Sequence, residues 1–242
     1  MRPVENRHNQ YSLPDLFFSV DADQLANSWA DGQSYPEFSG LFTKFLSTED
    51  RLKVSIPPNA ISVVDGLPNE PIQYLQIDDD FEKRFSRYFN LAFGYDLIVN
   101  KGAGQKVPLH VGKTPEINQG EDRVHRNYLL RLGQLPTLEK QGDGMRGFVG
   151  VLLSAFVSES ILFIDEPEAF LHPPQAYILG QMIANDLPDD KQIFLSTHSE
   201  DLLKGIMSVM SDRIKIIRIQ RDGSTNAFRA CLKMLEHPIN IG

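Results

Sequence analysis

Two acidic residues, Asp165 and Glu166, come directly after the apolar run Ile161-Leu162-Phe163-Ile164, and His198 stands 32 residues after Glu166 in Ser196-Thr197-His198-Ser199. Adjacent carboxylates repel each other and resist burial unless a cation offsets them, as a magnesium ion carrying nucleotide phosphates does. Phosphoryl transfer to water needs a metal to neutralise phosphate oxygens, a group that orients or deprotonates the water, and donors for the terminal phosphate. Asp165 suits the metal, directly or through water, and Glu166 suits the attacking water. His198 suits a donor to the terminal phosphate or a second hold on the water. A third feature is Gln141-Gly142-Asp143-Gly144-Met145-Arg146, whose Gly144 lies 21 residues before Asp165 and which opens an apolar helix. Glycines there let backbone amides approach an anion at the positive end of the helix.

Such residues have to be delivered by regular elements. Four apolar residues leading into the acid pair read as a strand buried on both faces of a parallel sheet, which carries the acids at its end to the sheet's carboxyl edge. The order around it is helix, strand, helix, strand, helix, strand. Residues 148–157 read as a mostly apolar helix and 161–164 as a strand; Pro173-Pro174 opens a helix with Leu179, Met182, Ile183 and Leu187 on one face. Residues 192–197 read as the next strand. Ser199 caps a helix with Glu200 and Asp201 in its first turn, burying Leu202, Leu203, Ile206, Met207 and Met210, and 214–219 is a further strand. This alternation predicts an α/β parallel sheet with flanking helices. Asp222-Gly223 predicts a tight turn into a last strand near 227–232.

Upstream, roughly the first 95 residues show no clean βα alternation and read as an irregular, partly helical layer. Asp78-Asp79-Asp80 before Phe81, Phe85, Tyr88, Phe89 and Ala92 reads as the acidic start of an amphipathic helix rather than a metal site. Residues 95–99 and 107–111 flank Lys101-Gly102-Ala103-Gly104 as a hairpin, and a helix is expected from about Glu121 to Leu132.

A net charge of −8 argues against a surface broadly devoted to nucleic acid or anionic lipid. Arg213, Lys215, Arg218 and Arg221 read as charges protecting a sheet edge, not as a DNA contact. Cys231 is the only cysteine, which excludes an intrachain disulfide and a cysteine metal cage and suits a reducing compartment, the cytoplasm by default. His8, His110, His125 and His237 show no ligand spacing, and the longest apolar stretch is too short to cross a bilayer.

The segment 141–207 resembles the second half of an ABC-type ATPase. More narrowly it is similar to the AAA-type ATPase domains of the bacterial OLD (overcoming lysogenization defect) family. The motifs that carry this resemblance are a signature loop, Gly142 to Arg146; a Walker B strand ending in Asp165-Glu166-Pro167-Glu168; the turn Leu171-His172-Pro173; and a switch histidine, His198. The resemblance implies a P-loop NTPase-like fold with ATP and Mg2+ as cofactors. It makes Asp165 the magnesium-side acid, Glu166 the catalytic base and His198 the switch residue. Gly142, Asp143 and Gly144 would contact ATP held by a partner subunit, so the working unit would be a head-to-tail homodimer with a shared nucleotide site. DNA processing or phage defence is implied only through the full-length family architecture. The chain departs from transporter-type members at Gly142, where they have serine, and at His172, where their D-loop carries aspartate.

No Gly-x-x-x-x-Gly-Lys-Ser/Thr loop occurs in the chain; Gly112-Lys113-Thr114 has valine at 107 and Pro115 immediately after. The expectation is an incomplete domain whose Walker A lobe is lost by truncation, split into another gene or left out of an expressed fragment, and could be supplied in trans. Its parts would be 1–135, an irregular and helical layer with the hairpin, and 136–242, the lobe carrying the signature, Walker B and switch histidine. The alternatives are a dimerisation or binding module that kept the fold and lost catalysis, and a magnesium-dependent hydrolase that uses Asp165 and Glu166 without nucleotide.

Overall fold

The strands in chain order are β1 (Val4–Asn6), β2 (Gln10–Leu13), β3 (Phe18–Asp21), β4 (Thr43–Leu46), β5 (Asp96–Val99), β6 (Leu109–Gly112), β7 (Ile161–Asp165), β8 (Gln192–Ser196), β9 (Ile216–Arg221) and β10 (Phe228–Lys233). The helices are α1 (Thr48–Lys53), α2 (Pro71–Ile77), α3 (Asp79–Phe93), α4 (Arg126–Leu132), α5 (Asp143–Val157), α6 (Pro173–Asp186) and α7 (Glu200–Met207). This computed structural model describes residues 43–157, 161–209 and 211–221. Residues 220–221 and the segments β1, β2, β3 and β10 are given as backbone alone.

β7 is the middle strand of a parallel sheet in the order β4-β7-β8, with Ile161–Asp165 beside Gln192–Ser196 on one edge and Thr43–Leu46 on the other. Helices flank this sheet, so the fold is α/β as expected. The partner at the far edge corrects the sequence reading. β4 comes from the stretch read as irregular, and the strand expected at 214–219 does not join the sheet. It runs as β9 and pairs antiparallel with β10. Four residues of unremarked pattern, Thr43-Lys44-Phe45-Leu46, become a strand because β7 offers them a parallel edge. The Asp222-Gly223 turn lies outside the described residues.

The expectation that β7 is buried on both faces is also corrected. Leu46, Leu162 and Ile164 are buried in the main core against α5. On the opposite face the aligned residues Phe45, Phe163 and Phe194 are 63%, 38% and 47% exposed. Side chains alternate along a strand, so one face is packed while the other stays bare among the described residues. The Phe163 and Phe194 rings stack on that bare face, centroids 4.9 Å apart and 12° from parallel.

α5 is the centre of the core. Every residue from Gly147 to Phe156 is buried, as suits a helix apolar nearly all round. Phe148 meets Phe93 edge-on at 5.2 Å and Phe89 at 6.4 Å. Phe85 and Phe89 are wholly buried, so the aromatic stripe of α3 is core. The three aspartates before it behave as a helix start: the Asp78 carboxylate accepts from the Asp80 and Phe81 amides at 3.0 and 2.9 Å. α1 lies close to α5, since a Cβ on Gly150 would stand 2.0 Å from the Arg51 carbonyl oxygen.

The hairpin forms as expected, with β5 antiparallel to β6 and Leu97 opposite Val111. The helix expected from Glu121 starts later, at Arg126, with the His125 imidazole accepting from the Asn127 amide. Glu121 is held in the preceding turn, accepting from the Asn118 amide and pairing with Arg131. Ser199 caps α7 by accepting from the Leu202 amide, and that helix buries Leu202 and Ile206 before ending at Met207. Met210 lies outside the described residues. Among the described residues no helix is long and apolar enough to cross a membrane.

Candidate active site

The carboxyl ends of β7 and β8 lie side by side, because Asp165 is in register with Ser196. The structure thereby brings together three of the residues singled out from the sequence. The Ser196 hydroxyl donates to Asp165 Oδ1. The main chain of Glu166 is tied to the next strand, its N–H donating to the Ser196 carbonyl at 2.9 Å. One residue beyond Thr197, the Nδ1 of His198 lies 3.0 Å from Glu166 Oε1. Both side chains are open to solvent, His198 at 81% and Glu166 at 51%, so a ligand at the sheet edge can reach them.

Glu166 has φ 46, in the left-handed region that side-chain-bearing residues seldom occupy. Its carbonyl oxygen accepts twice, from the Ala169 amide at 3.0 Å and from Arg51 Nη1 at 2.7 Å. Arg51 is only 1% exposed, and its Nη2 donates to Thr48 Oγ1 at 2.6 Å. Burial pushes the Arg51 guanidinium below its usual range, opposed by the charges of Glu168, Asp165 and Glu166. Glu168 takes a second part in the edge, accepting from the Thr197 hydroxyl at 2.6 Å; that hydroxyl oxygen in turn accepts from the Ser199 amide at 2.9 Å. Its other oxygen, Oε2, is buried with no hydrogen-bond partner among the described residues.

The glycine loop runs straight into α5, with Asp143 and Gly144 already in its first turn. Gly142 has open space where a Cβ would stand, whereas a Cβ on Gly144 would be 2.7 Å from the Phe170 carbonyl oxygen. Gly144 is therefore needed for close packing against the loop after β7. Arg146 fixes the same start: Nη1 donates to Asp143 Oδ1 at 3.0 Å, and Nε donates to Ser55 Oγ at 2.9 Å just past α1. His172 stands directly before α6 at its N-cap, without a side-chain cap bond.

Other sequence candidates have structural partners. Thr114 donates to Asp96 Oδ2 through both its amide and its hydroxyl, at 3.0 and 2.7 Å, so the Gly112-Lys113-Thr114 fragment is folded onto a carboxylate. Arg213 donates to the Leu187 and Pro188 carbonyls after α6 and pairs with Asp189 at 2.8 Å. His110 is buried, with Nδ1 2.9 Å from the Leu135 carbonyl. His8, His237 and the side chain of Cys231 lie outside the described residues.

Sequence reasoning did not mark Arg51, and it quoted Glu168 and Thr197 only as parts of motifs. Thr197 and Glu168 carry a usable signal, since each adjoins a residue of the edge. Arg51 carries none, because Glu49-Asp50-Arg51 reads as a solvated first helical turn.

The donors at the edge are hard oxygens, the carboxylates of Asp165 and Glu166 and the hydroxyl of Ser196, the chemistry magnesium prefers. No group of three or more His, Cys, Asp or Glu that could hold a metal occurs among the described residues. Magnesium commonly takes only one or two protein carboxylates and completes its shell with water and phosphate, so this donor set fits it.

Residues 115–204 match the family described as "AAA domain, putative AbiEii toxin, Type IV TA system", a span that includes Gly142 to Gly144, Asp165, Glu166 and His198 and leaves out β4 and Arg51. That stretch is similar to an AAA domain. No curated protein matches the chain by sequence. Among solved structures, a Pyrococcus furiosus Smc head domain with an extended coiled coil, bound to the C-terminal domain of ScpA, is 14% identical. The match has a TM-score of 0.44 and covers 69% of this chain and 37% of that one. An SmcHead bound to the C-winged helix domain of ScpA is 13% identical, with a TM-score of 0.49 and coverage of 94% and 64%. A structure from work on ATP-driven dimerization and DNA stimulated activation of SMC ATPases is 14% identical, with a TM-score of 0.42 and coverage of 69% and 91%. The chain thus spans less than two thirds of the length of the first and second of these.

Proposed function

We propose that this chain is the Walker B and switch portion of an ABC/AAA-type ATPase that hydrolyses ATP with Mg2+, in an OLD-like protein concerned with DNA processing or phage defence. The observation that carries this reading is the 3.0 Å approach of His198 to Glu166 at the carboxyl edge of two adjacent parallel strands. Asp165 with Ser196 would hold magnesium, which supplies charge neutralisation for the phosphates. Glu166 takes the proton of the attacking water, and His198 orients that water or donates to the terminal phosphate. Gly142, Asp143 and Gly144, at the start of α5, face ATP bound by a second copy in a head-to-tail dimer. The stretches 1–135 and 136–242 act as one domain, a reading supported by the pairing of β4 with β7.

The grip on the β- and γ-phosphates would come from a strand–loop–helix segment that is not in this sequence, supplied in cis or in trans. Two features support its place. The free edge of β8 has no strand beside it among the described residues. Among the described residues nothing covers the face bearing Phe45, Phe163 and Phe194, although parallel sheets are ordinarily covered on both sides. A strand added at β8 whose helix crosses that face would satisfy both. Because the sequence has no phosphate loop, the competing reading is a non-catalytic dimerisation module. Phosphate release from MgATP decides between them: the chain with a Gly-x-x-x-x-Gly-Lys-Ser/Thr segment supplied should turn over, and turnover should vanish in Glu166→Gln. Turnover unaffected by that substitution, or absent under every condition, removes the proposal.

A further inference from the structure

Arg51 is a buried cation whose two guanidinium hydrogen bonds among the described residues both go to uncharged oxygens, the Glu166 carbonyl and Thr48 Oγ1. Burying a charge is costly unless the group is used, and fold stability alone would be served as well by an apolar side chain of similar volume. The place where it is used is unusual. Glu166 sits in the left-handed region, and such a conformation persists only when its surroundings over-determine it. Its N–H is held by the Ser196 carbonyl of β8, and its C=O is held by Arg51 across 115 positions of sequence. With both ends of the residue fixed, the direction of its Cα–Cβ bond is set, and from there the carboxylate lies 3.0 Å from His198 Nδ1.

The opposite side of the pair has a matching hold. Glu168 Oε1 takes the Thr197 hydroxyl at 2.6 Å, directly before His198, and Glu168 is the carboxylate whose charge Arg51 feels most. The Arg51 guanidinium thus bonds the Glu166 carbonyl and lies within the field of the Glu168 charge. α1, which carries it, is set in place by close packing on Gly150 of α5.

We infer that Arg51 is a positioning residue for Glu166, holding the main-chain carbonyl so that the carboxylate stays beside His198. Its bearing on hydrolysis rests on the reading of Glu166 as the base, whereas the hold itself does not. The chain that supplies β4 and α1 thereby sets the geometry of the edge on β7 and β8.

Amide hydrogen exchange on the full chain tests the hold directly, because the Ala169 amide donates to the Glu166 carbonyl that Arg51 holds, and the Glu166 amide donates to the Ser196 carbonyl of β8. Arg51→Met should speed exchange at both amides by about tenfold or more and leave Val151 and Leu152 in α5 within about twofold. Arg51→Lys, which keeps a donor and a charge, should recover most of the protection. If Arg51→Met fails to fold, Thr48→Val decides by the same criterion, since it removes only the partner of Nη2. Exchange at Glu166 and Ala169 within about twofold of the parent overturns the inference, as does a rise shared equally by Val151 and Leu152. In the MgATP assay supplied with a phosphate-loop segment, the same substitution should lower kcat more than it raises KM. Absence of turnover in the parent would count against the ATPase reading while leaving the exchange result to judge Arg51.

Discussion

His198 Nδ1 and Glu166 Oε1 stand 3.0 Å apart on neighbouring strand ends, joined through main-chain pairing of Glu166 with Ser196. On the proposed reading, Glu166 as base and His198 as donor act on one water or phosphate oxygen. Removing the base should therefore cost more than binding. With a phosphate-loop segment supplied, Glu166→Gln should lower MgATP turnover by about 100-fold or more, within the range expected of general base catalysis. Phosphate release measures this. The same variant should accumulate as a dimer with ATP and magnesium, and sedimentation showing a monomer would argue against a shared site.

Leu162 and Phe163 are sequence neighbours on opposite faces of β7 and should respond in opposite ways. Leu162 is buried, so Leu162→Ala should cost about 2–5 kcal/mol in urea unfolding. Phe194→Ser, on the bare face beside Phe163, should cost less than about 1 kcal/mol. It should nevertheless weaken any strand–helix segment that docks on that face. Equal costs for the two substitutions would mean that the face is covered.

Glu82 is a buried hub of charge. Its carboxylate pairs with Lys101 at 3.1 Å and receives Arg123 Nη1 at 3.0 Å, and Oε1 accepts from the Val99 amide at 3.3 Å. Glu82→Gln leaves two cations facing a neutral group and should lower stability by about 3 kcal/mol. Denaturant titration of the variant checks this, with the midpoint expected to fall and the slope to stay constant.

Acid should loosen the turn before α4. The hydrogen bond from Arg131 holds the Glu121 carboxyl down to about 2 from its ordinary 4.5, with the Asn118 amide helping. A depressed folded value means that the contribution is fully present above about pH 4.5 and fades as pH falls toward about 2. Glu121→Gln should therefore show a shallower loss of stability than the parent across that interval, read from unfolding midpoints at several pH values.

The elements that carry the site were legible in the sequence because their signals are local. An apolar run ending in two acids marked β7, Ser196-Thr197-His198 marked the end of β8, and Asp78 and Ser199 marked helix starts that the hydrogen bonds bear out. What was not legible is settled by distant partners. Thr43-Lys44-Phe45-Leu46 has too short a pattern to announce a strand and is fixed by its register with β7. Arg51 looks like any charged residue of an exposed helix, and its burial makes sense only with its long-range partner, the Glu166 carbonyl, in view. The bare aromatic face could not be read either, since a four-residue apolar run looks the same whether one side or both are covered.

The left-handed backbone at Glu166 sets foldability against use. An L side chain in that region costs on the order of 1 kcal/mol, which glycine would not incur. Glu166→Gly should thus raise the melting temperature even as it deletes the carboxylate. Laboratory evolution for thermal robustness alone would be drawn to that codon early, and a population that keeps glutamate there is one whose survival depends on what the carboxylate does.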